Sequence, residues 1–396
     1  MALKISFTGD LMVLLPELRA SYDGDRYNFS HVFSKIEKLL KQSDYVVGNL
    51  ETPLASKELG YTNEPTVFNT PEEFVIDAKN AGFKCISLAN NHCLDRGIPG
   101  LMHTLSTIKS IGIDYVGAYD DKCASEKPLI KQFGKNKISF LSYTYGTNSE
   151  WRNNKLDSRE NFRVDLIREQ DEFNNIKVNK NAQRVKQLIK SMLPQKIREL
   201  IHPIVISDCV RNDTELDKSS IFYKRLRDKI NLAKSNADMV IMLLHAGGQY
   251  NSVVGEYTRN VCRELIELGC DTVIVNHPHC VLPFEYIDGK LVLYSLGNFC
   301  FTPKYGYYYK GVYADYSLIF NLYIEDDLST KKSISICKVV KEKSGHSVVC
   351  PLYELIKKSR GWKKRLLIRD NQEVLKRFFG DMQYTINLKA KEEYFF

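Results

Sequence analysis

Carboxylates, amides and imidazoles recur in this chain immediately after short apolar runs. Lys84-Cys85-Ile86-Ser87-Leu88-Ala89 reads as a buried strand and runs into Asn90-Asn91-His92, with Asp95 three residues further on. The strand Lys4 to Thr8 ends in Gly9-Asp10, and Asp44 to Gly48 leads into Asn49-Leu50-Glu51. Met239 to Leu244 ends on His245-Ala246-Gly247-Gly248, and Thr272 to Val275 ends on Asn276-His277-Pro278-His279. A polar group just past a buried strand is exposed at little cost and is held by rigid backbone.

Asp10, Glu51, Asn91, His245, His277 and His279 together form a ligand set for one or two divalent metal ions. Mixed oxygen and nitrogen ligation suits Mn, Fe or Zn better than Ca or Mg. Two ions about 3.5–4 Å apart can share a bridging carboxylate and make a water nucleophilic near neutral pH. Each residue has a plainer reading. Gly9-Asp10 alone fits a turn or helix cap, Glu51 before Thr52-Pro53 a loop acid, Asn91 a turn cap, and His245 a satisfied core histidine. His277-Pro278-His279 is the most specific local signal, since proline is expected to fix an extended link that aims both imidazoles at one place. His31, His103, His202 and His346 lack such context and are assigned to surface or packing. In an open α/β sheet the carboxyl ends of parallel strands lie along one edge, so five such strand ends should converge.

The elements that position these residues alternate between strand and helix. Helices are expected at His31 to Lys41, from a Thr70 cap through Pro71 to Asn80 with Gly82 as the stop, and at Leu101 to Ser110. A strand follows at Lys137 to Tyr143. Residues 147–220 are polar, with helical patterning near Gln183 to Leu200, and read as an insertion or lid. Regular patterning resumes with helices at Tyr223 to Ser235 and Glu256 to Leu268. Strands are expected at Val281 to Ile287 and Leu291 to Tyr294, then a tight turn at Ser295 to Phe299 supporting the site from behind. Antiparallel strands follow at Ala314 to Glu325 and Ser333 to Val340. A main domain thus spans 1–325, and a basic, helical C-terminal extension 326–396. The run Tyr305 to Tyr309, with Tyr313 and Tyr316, reads as a loop entering an edge strand.

The chain of 396 residues is 43% hydrophobic, enough for a substantial core. Its net charge of +8, from 56 basic and 48 acidic side chains, is spread out. That balance fits an anionic substrate, and no recognisable module argues for nucleic acid. No signal peptide is expected, nor an integral membrane segment, since no apolar run approaches about 18 residues. The ten cysteines sit mostly in apolar runs and form no C-x-x-C pair, as buried thiols of a cytoplasmic protein would.

The ordered motifs Phe7-Thr8-Gly9-Asp10, Gly48-Asn49-Leu50-Glu51, Ala89-Asn90-Asn91-His92 with Asp95 and Gly97, His245 with Gly247 and Tyr250, His277-Pro278-His279, and Tyr294 to Phe299 carry a resemblance. Over residues 3 to 325 the chain resembles the CapA proteins of capsule and poly-γ-glutamate synthesis, relatives of the calcineurin-like metallophosphoesterases. That resemblance implies a four-layer αββα sandwich with a dinuclear site at its edge. By position, Asp10, Glu51 and His279 would hold one ion, and Glu51, Asn91, His245 and His277 the other, with Glu51 bridging. His92 would be the general acid, its imidazole oriented by Asp95, though Asp95 also fits a helix cap. Three positions depart from the pattern: Met12 where the phosphoesterases have histidine, Gln249 for an acid, and Asn276 for an imidazole. The implied activity is metal-dependent hydrolysis of a phosphoester, or of a γ-glutamyl or peptide amide, on an anionic small-molecule, polymer or peptide substrate alongside capsule-biosynthesis partners. Peptide epimerisation and a non-catalytic scaffold are the alternatives.

Overall fold

The computed structural model describes residues 2–64, 66–173, 208–210, 213–251, 253–301, 311–380 and 389–396. Strands in the first half are β1 (Leu3–Leu11), β2 (Tyr45–Leu50), β3 (Phe83–Ser87), β4 (Asp114–Val116), β5 (Leu129–Phe133) and β6 (Asn136–Thr144). Next come β7 (Met239–His245), β8 (Thr272–Asn276), β9 (Phe284–Ile287), β10 (Lys290–Leu293) and β11 (Asn298–Cys300). The last are β12 (Tyr316–Ile324), β13 (Thr330–Lys341), β14 (Ser347–Pro351) and β15 (Tyr394–Phe395).

They build two sheets in a mixed α/β fold. The nine-stranded sheet runs β14-β13-β12-β1-β2-β3-β4, with β11 on β1 and β15 on β13. Within it β1 to β4 are parallel, whereas β12 to β14 are antiparallel. The six-stranded sheet runs β5-β6-β7-β8-β10-β9 and is parallel from β6 to β10. All positions of β2 and β7 are buried, as befits parallel strands covered on both faces.

Alternation along each strand sorts the core. Val46, Leu50 and Ile86 pack against Phe74, Val75 and Ala78 of the Glu73–Ala81 helix and Leu101, Leu105 and Ile108 of the Gly97–Ile111 helix. Their neighbours Val47 and Cys85 point the other way, into a cluster with Phe140, Ile241 and Ile274 of the smaller sheet. On that sheet's far face, Met242, Leu244, Val273 and Val275 meet the helices Ile221–Asn236 and Glu256–Leu268. The basic C-terminal segment also joins the cluster that both sheets share, through Leu367, Val374, Leu375 and Phe378 of the Gly361–Phe379 helix.

Several expected elements differ in detail. The helix expected over His31 to Lys41 is two short pieces, Ser30–Phe33 and Glu37–Leu40, which still bury Val32, Phe33 and Leu40. The Ser34 hydroxyl donates back to the His31 carbonyl at 2.9 Å, one local bond that competes with helix continuation. Thr70 does not cap the next helix: its hydroxyl pairs with Thr52 Oγ1 at 2.8 Å, and the helix starts at Glu73. Gly82, at φ 123°, closes that helix. Residues Ser295 to Phe299 are more than a turn, since Asn298–Cys300 pairs in parallel with β1. Within 147–220, Val164 and Leu166 are buried, and bridges join Ala118 to Val164 and Thr144 to Leu166. The helical patterning near Gln183 to Leu200, His202 and the Tyr305 to Tyr309 run lie outside the described residues. Among the described residues, no helix is long and apolar enough to cross a membrane.

Candidate metal centre

Asp10 lies near the end of β1, and Glu51 directly follows β2. Asn91 and His92 come shortly after β3, His245 closes β7, and His277 and His279 follow β8. The site is therefore assembled from the carboxyl ends of strands in both sheets, whereas a single open sheet would have offered one edge. Gly9 makes the approach of β1 feasible: a Cβ there would lie 1.7 Å from the Gly297 carbonyl oxygen. The Asp10 amide donates to that same oxygen at 3.0 Å.

Glu51, His277 and His279 bring one ligand atom each within 4.8 Å of the others. Glu51 Oε1 is 3.4 Å from His245 Nε2, 3.7 Å from His279 Nε2 and 4.0 Å from His277 Nδ1. His245 Nε2 also contacts Asn91 Oδ1 at 2.8 Å and His277 Nδ1 at 3.1 Å. Asp10 Oδ2 lies 3.3 Å from His279 Nδ1. Both oxygens of Glu51, and Asp10 Oδ2, are buried without a hydrogen-bond partner. Around Glu51 Oε1 the lone-pair atoms outnumber the protons that neutral imidazoles can supply, and a cation is what such a cluster lacks.

The electrostatics agree with that shortage of positive charge. Burial drives the Glu51 carboxyl well above the ordinary carboxylate range, and the nearby Asp10 charge adds to the rise. Asp10 is equally desolvated, yet the His279 imidazole, with help from His245 and Asn49, holds it below its ordinary value. Burial pushes His245 down to about 3 and lowers His277 well below the ordinary imidazole value. Both rings are therefore neutral at pH 7, the form in which histidine binds a metal.

The two histidines flanking Pro278 are not on an extended link. His277 has φ 104° and His279 φ 57°, so both sit in the left-handed region, a strain of about 1–3 kcal/mol each. That sharp bend turns both rings toward Glu51. His92 Nδ1 is 2.8 Å from Asp95 Oδ2, which also accepts the Phe68 amide at 2.7 Å. The Phe68 ring packs 4.4 Å from the His92 ring, centroid to centroid. Asp95 thus serves the imidazole rather than capping the Gly97–Ile111 helix, where no side chain caps the start.

Two asparagines were not singled out as site residues. Asn49 Nδ2 donates to Asp10 Oδ1 at 2.7 Å and lies 3.2 Å from His245 Nδ1. Asn298 Oδ1 is 2.9 Å from His279 Nδ1, and its amide donates to the His279 and Ala314 carbonyls. The available signal was polarity inside strands with no polar face, Tyr45–Leu50 and Asn298–Cys300. Of the departures, Met12 is buried in an apolar cluster with Leu14, Phe68 and Phe301. Asn276 Oδ1 is buried without a partner, and Gln249 is exposed.

Comparison with known proteins places the chain. A family model described as bacterial capsule synthesis protein PGA_cap matches residues 4–303. The chain belongs to that family. Among curated relatives, "Capsule biosynthesis protein CapA" of Bacillus anthracis is 25% identical over 280 residues, covering 70% of this chain and 55% of that one. "PGA biosynthesis protein CapA" of Bacillus subtilis (strain 168) is 24% identical over 301 residues, covering 76% of this chain and 63% of its own length. The chain therefore spans less than two thirds of the length of these relatives.

Proposed function

We propose that this PGA_cap protein is a metal-dependent hydrolase that cleaves a phosphoester, or a γ-glutamyl or peptide amide, in capsule or exopolymer biosynthesis. The observation that carries the reading is Glu51, a fully buried carboxylate without a hydrogen bond, beside three imidazoles at 3.4–4.0 Å. An isolated buried carboxylate is costly, and a divalent cation offsets that cost. The contacts divide into two groups about Glu51: Asp10 with His279, and Asn91 with His245 and His277. These would hold one ion each, with Glu51 shared, and Mn, Fe and Zn suit the donors. When bound, such ions polarise a carbonyl or phosphoryl oxygen and ease the ionisation of water.

The chain's own residues supply the rest. Asp95, as carboxylate, accepts from His92 Nδ1–H and leaves Nε2 to exchange a proton with the leaving group. The Phe68 ring and amide hold that pair in place. The capsule setting follows from the names of the relatives, and the hydrolytic chemistry from the resemblance to metallophosphoesterases. The purified protein should turn over aryl phosphodiesters or a γ-glutamyl anilide with Mn stimulation. Asn91→Ala and His277→Ala should each abolish that turnover. Activity that persists in both variants, or never depends on metal, would overturn the assignment.

A further inference from the structure

The charge of the chain concentrates where the Leu352–Lys358 helix passes into the Gly361–Phe379 helix. Residues 357–369 hold seven basic side chains and no acid, nearly the net charge of +8 of the whole chain. Lys357 and Lys358 share Glu354, and Arg369 pairs with Asp370. Arg360, Lys363, Lys364 and Arg365 make no ion pair among the described residues. Their placement runs against helix electrostatics. The backbone presents its positive end at the start of the Gly361–Phe379 helix, yet no acid stands in the first turn and no side chain caps it at Arg360. The fold thus gathers cations where they oppose the helix dipole and supplies them no counter-charge. Every residue from Arg360 to Leu366 is exposed, and the buried stripe starts only at Leu367. Gly361 to Leu366 cover more than one turn, so this end of the helix stands clear of the body on all its faces. Within it Trp362 is 72% exposed, the most exposed large apolar side chain among the described residues. Leu366, four residues on and so on the same face, is 36% exposed.

We propose that this end of the helix docks on an anionic lipid bilayer surface, with Arg360, Lys363, Lys364 and Arg365 against the headgroups and Trp362 with Leu366 entering the interfacial layer. Clustered basic side chains add their attractions to such a surface, so several hold where one would not. A polyanion in solution would be met by the charges alone, whereas a bilayer interface also takes up an indole and a leucine. Arg377, towards the other end of the same helix, donates from Nε to the Val281 carbonyl at 3.0 Å, just beyond His279 in the chain. Trp362 lies about 22 Å from that contact along the helix axis. The docking surface and the metal centre are therefore separate, and the docking does not depend on the hydrolase reading.

Trp362 reports its own surroundings once the other tryptophan, Trp151, is replaced. The full chain carrying Trp151→Phe is titrated at low salt with vesicles of phosphatidylglycerol and phosphatidylcholine in equal parts, and with vesicles of phosphatidylcholine alone. Co-sedimentation and a blue shift of Trp362 emission are expected on the anionic vesicles only, and both should fade as salt rises. Lys363→Gln, Lys364→Gln and Arg365→Gln together should weaken the partition on the order of 100-fold. Trp362→Ala, read by sedimentation, should weaken it about tenfold at unchanged charge. Neither variant should lower the melting temperature, because these side chains are exposed and the cations oppose the helix dipole. No partition onto anionic vesicles, equal partition onto neutral ones, or partition that leaves Trp362 emission unshifted overturns the proposal. Retention on heparin without partition onto vesicles overturns it as well, and assigns the patch to a soluble polyanion.

Discussion

At the scale of single residues, the candidate ligands were legible because carboxylates, amides and imidazoles stood just after apolar runs. What held them was not. Asn49 and Asn298 act through Asp10, His245 and His279, and nothing in a linear pattern says which strand an amide will reach across to. Asn298→Ala should therefore weaken metal affinity by about 10–100-fold, read by competition with a chelator. His92→Ala should lower kcat by about 10²–10⁴-fold while metal content stays unchanged, because the proposed mechanism makes His92 a proton donor and not a ligand. The pH dependence has two opposed parts. His245 and His277 have lowered values in the folded state, so without metal they cost stability as pH falls below about 6.5. Glu51 has a raised value, so its contribution is present below about 4.5 and is lost as pH rises. A bound cation favours the ionised Glu51 and the neutral imidazoles. Added Mn should accordingly raise the melting temperature more at pH 8 than at pH 5.5.

At the scale of elements, the parallel strands were legible because runs such as Met239 to His245 are buried on both faces. Breaks and caps were less so, since Ser34 and Thr70 chose tertiary or local partners over the helical roles their types suggested. The sharp bend at His277-Pro278-His279 was also hidden, because two non-glycine residues with positive φ leave no compositional mark. Close strand contacts give a direct test. Gly9→Ala would drive a methyl into the Gly297 carbonyl, so it should cost at least about 3 kcal/mol in denaturant unfolding and reduce bound metal. A second test lies away from the centre. Lys229 Nζ bonds both oxygens of buried Asp165, at 2.6 and 2.8 Å, and Tyr119 donates to the same carboxylate. The lysine comes from the Ile221–Asn236 helix and the acid from within 147–220, so the pair ties that segment to the scaffold. Lys229→Met should cost about 3–5 kcal/mol by stranding Asp165, and adding Asp165→Asn should recover part of the loss.

At the scale of the whole molecule, the α/β class and the PGA_cap family were legible from ordered motifs spread over most of the chain. The role of the C-terminal segment was not. Its basic composition masks a narrow apolar stripe, and only the packing shows Leu367, Val374, Leu375 and Phe378 in the apolar cluster that both sheets share. The account depends most on a cation held at Glu51. Elemental analysis of the purified full chain, beside Glu51→Gln prepared identically, is the most direct test. One or two equivalents of Mn, Fe or Zn in the wild-type protein, lost in the variant, is the result expected. Stoichiometric metal retained by Glu51→Gln, or none in a wild-type protein dialysed against those ions, would contradict it.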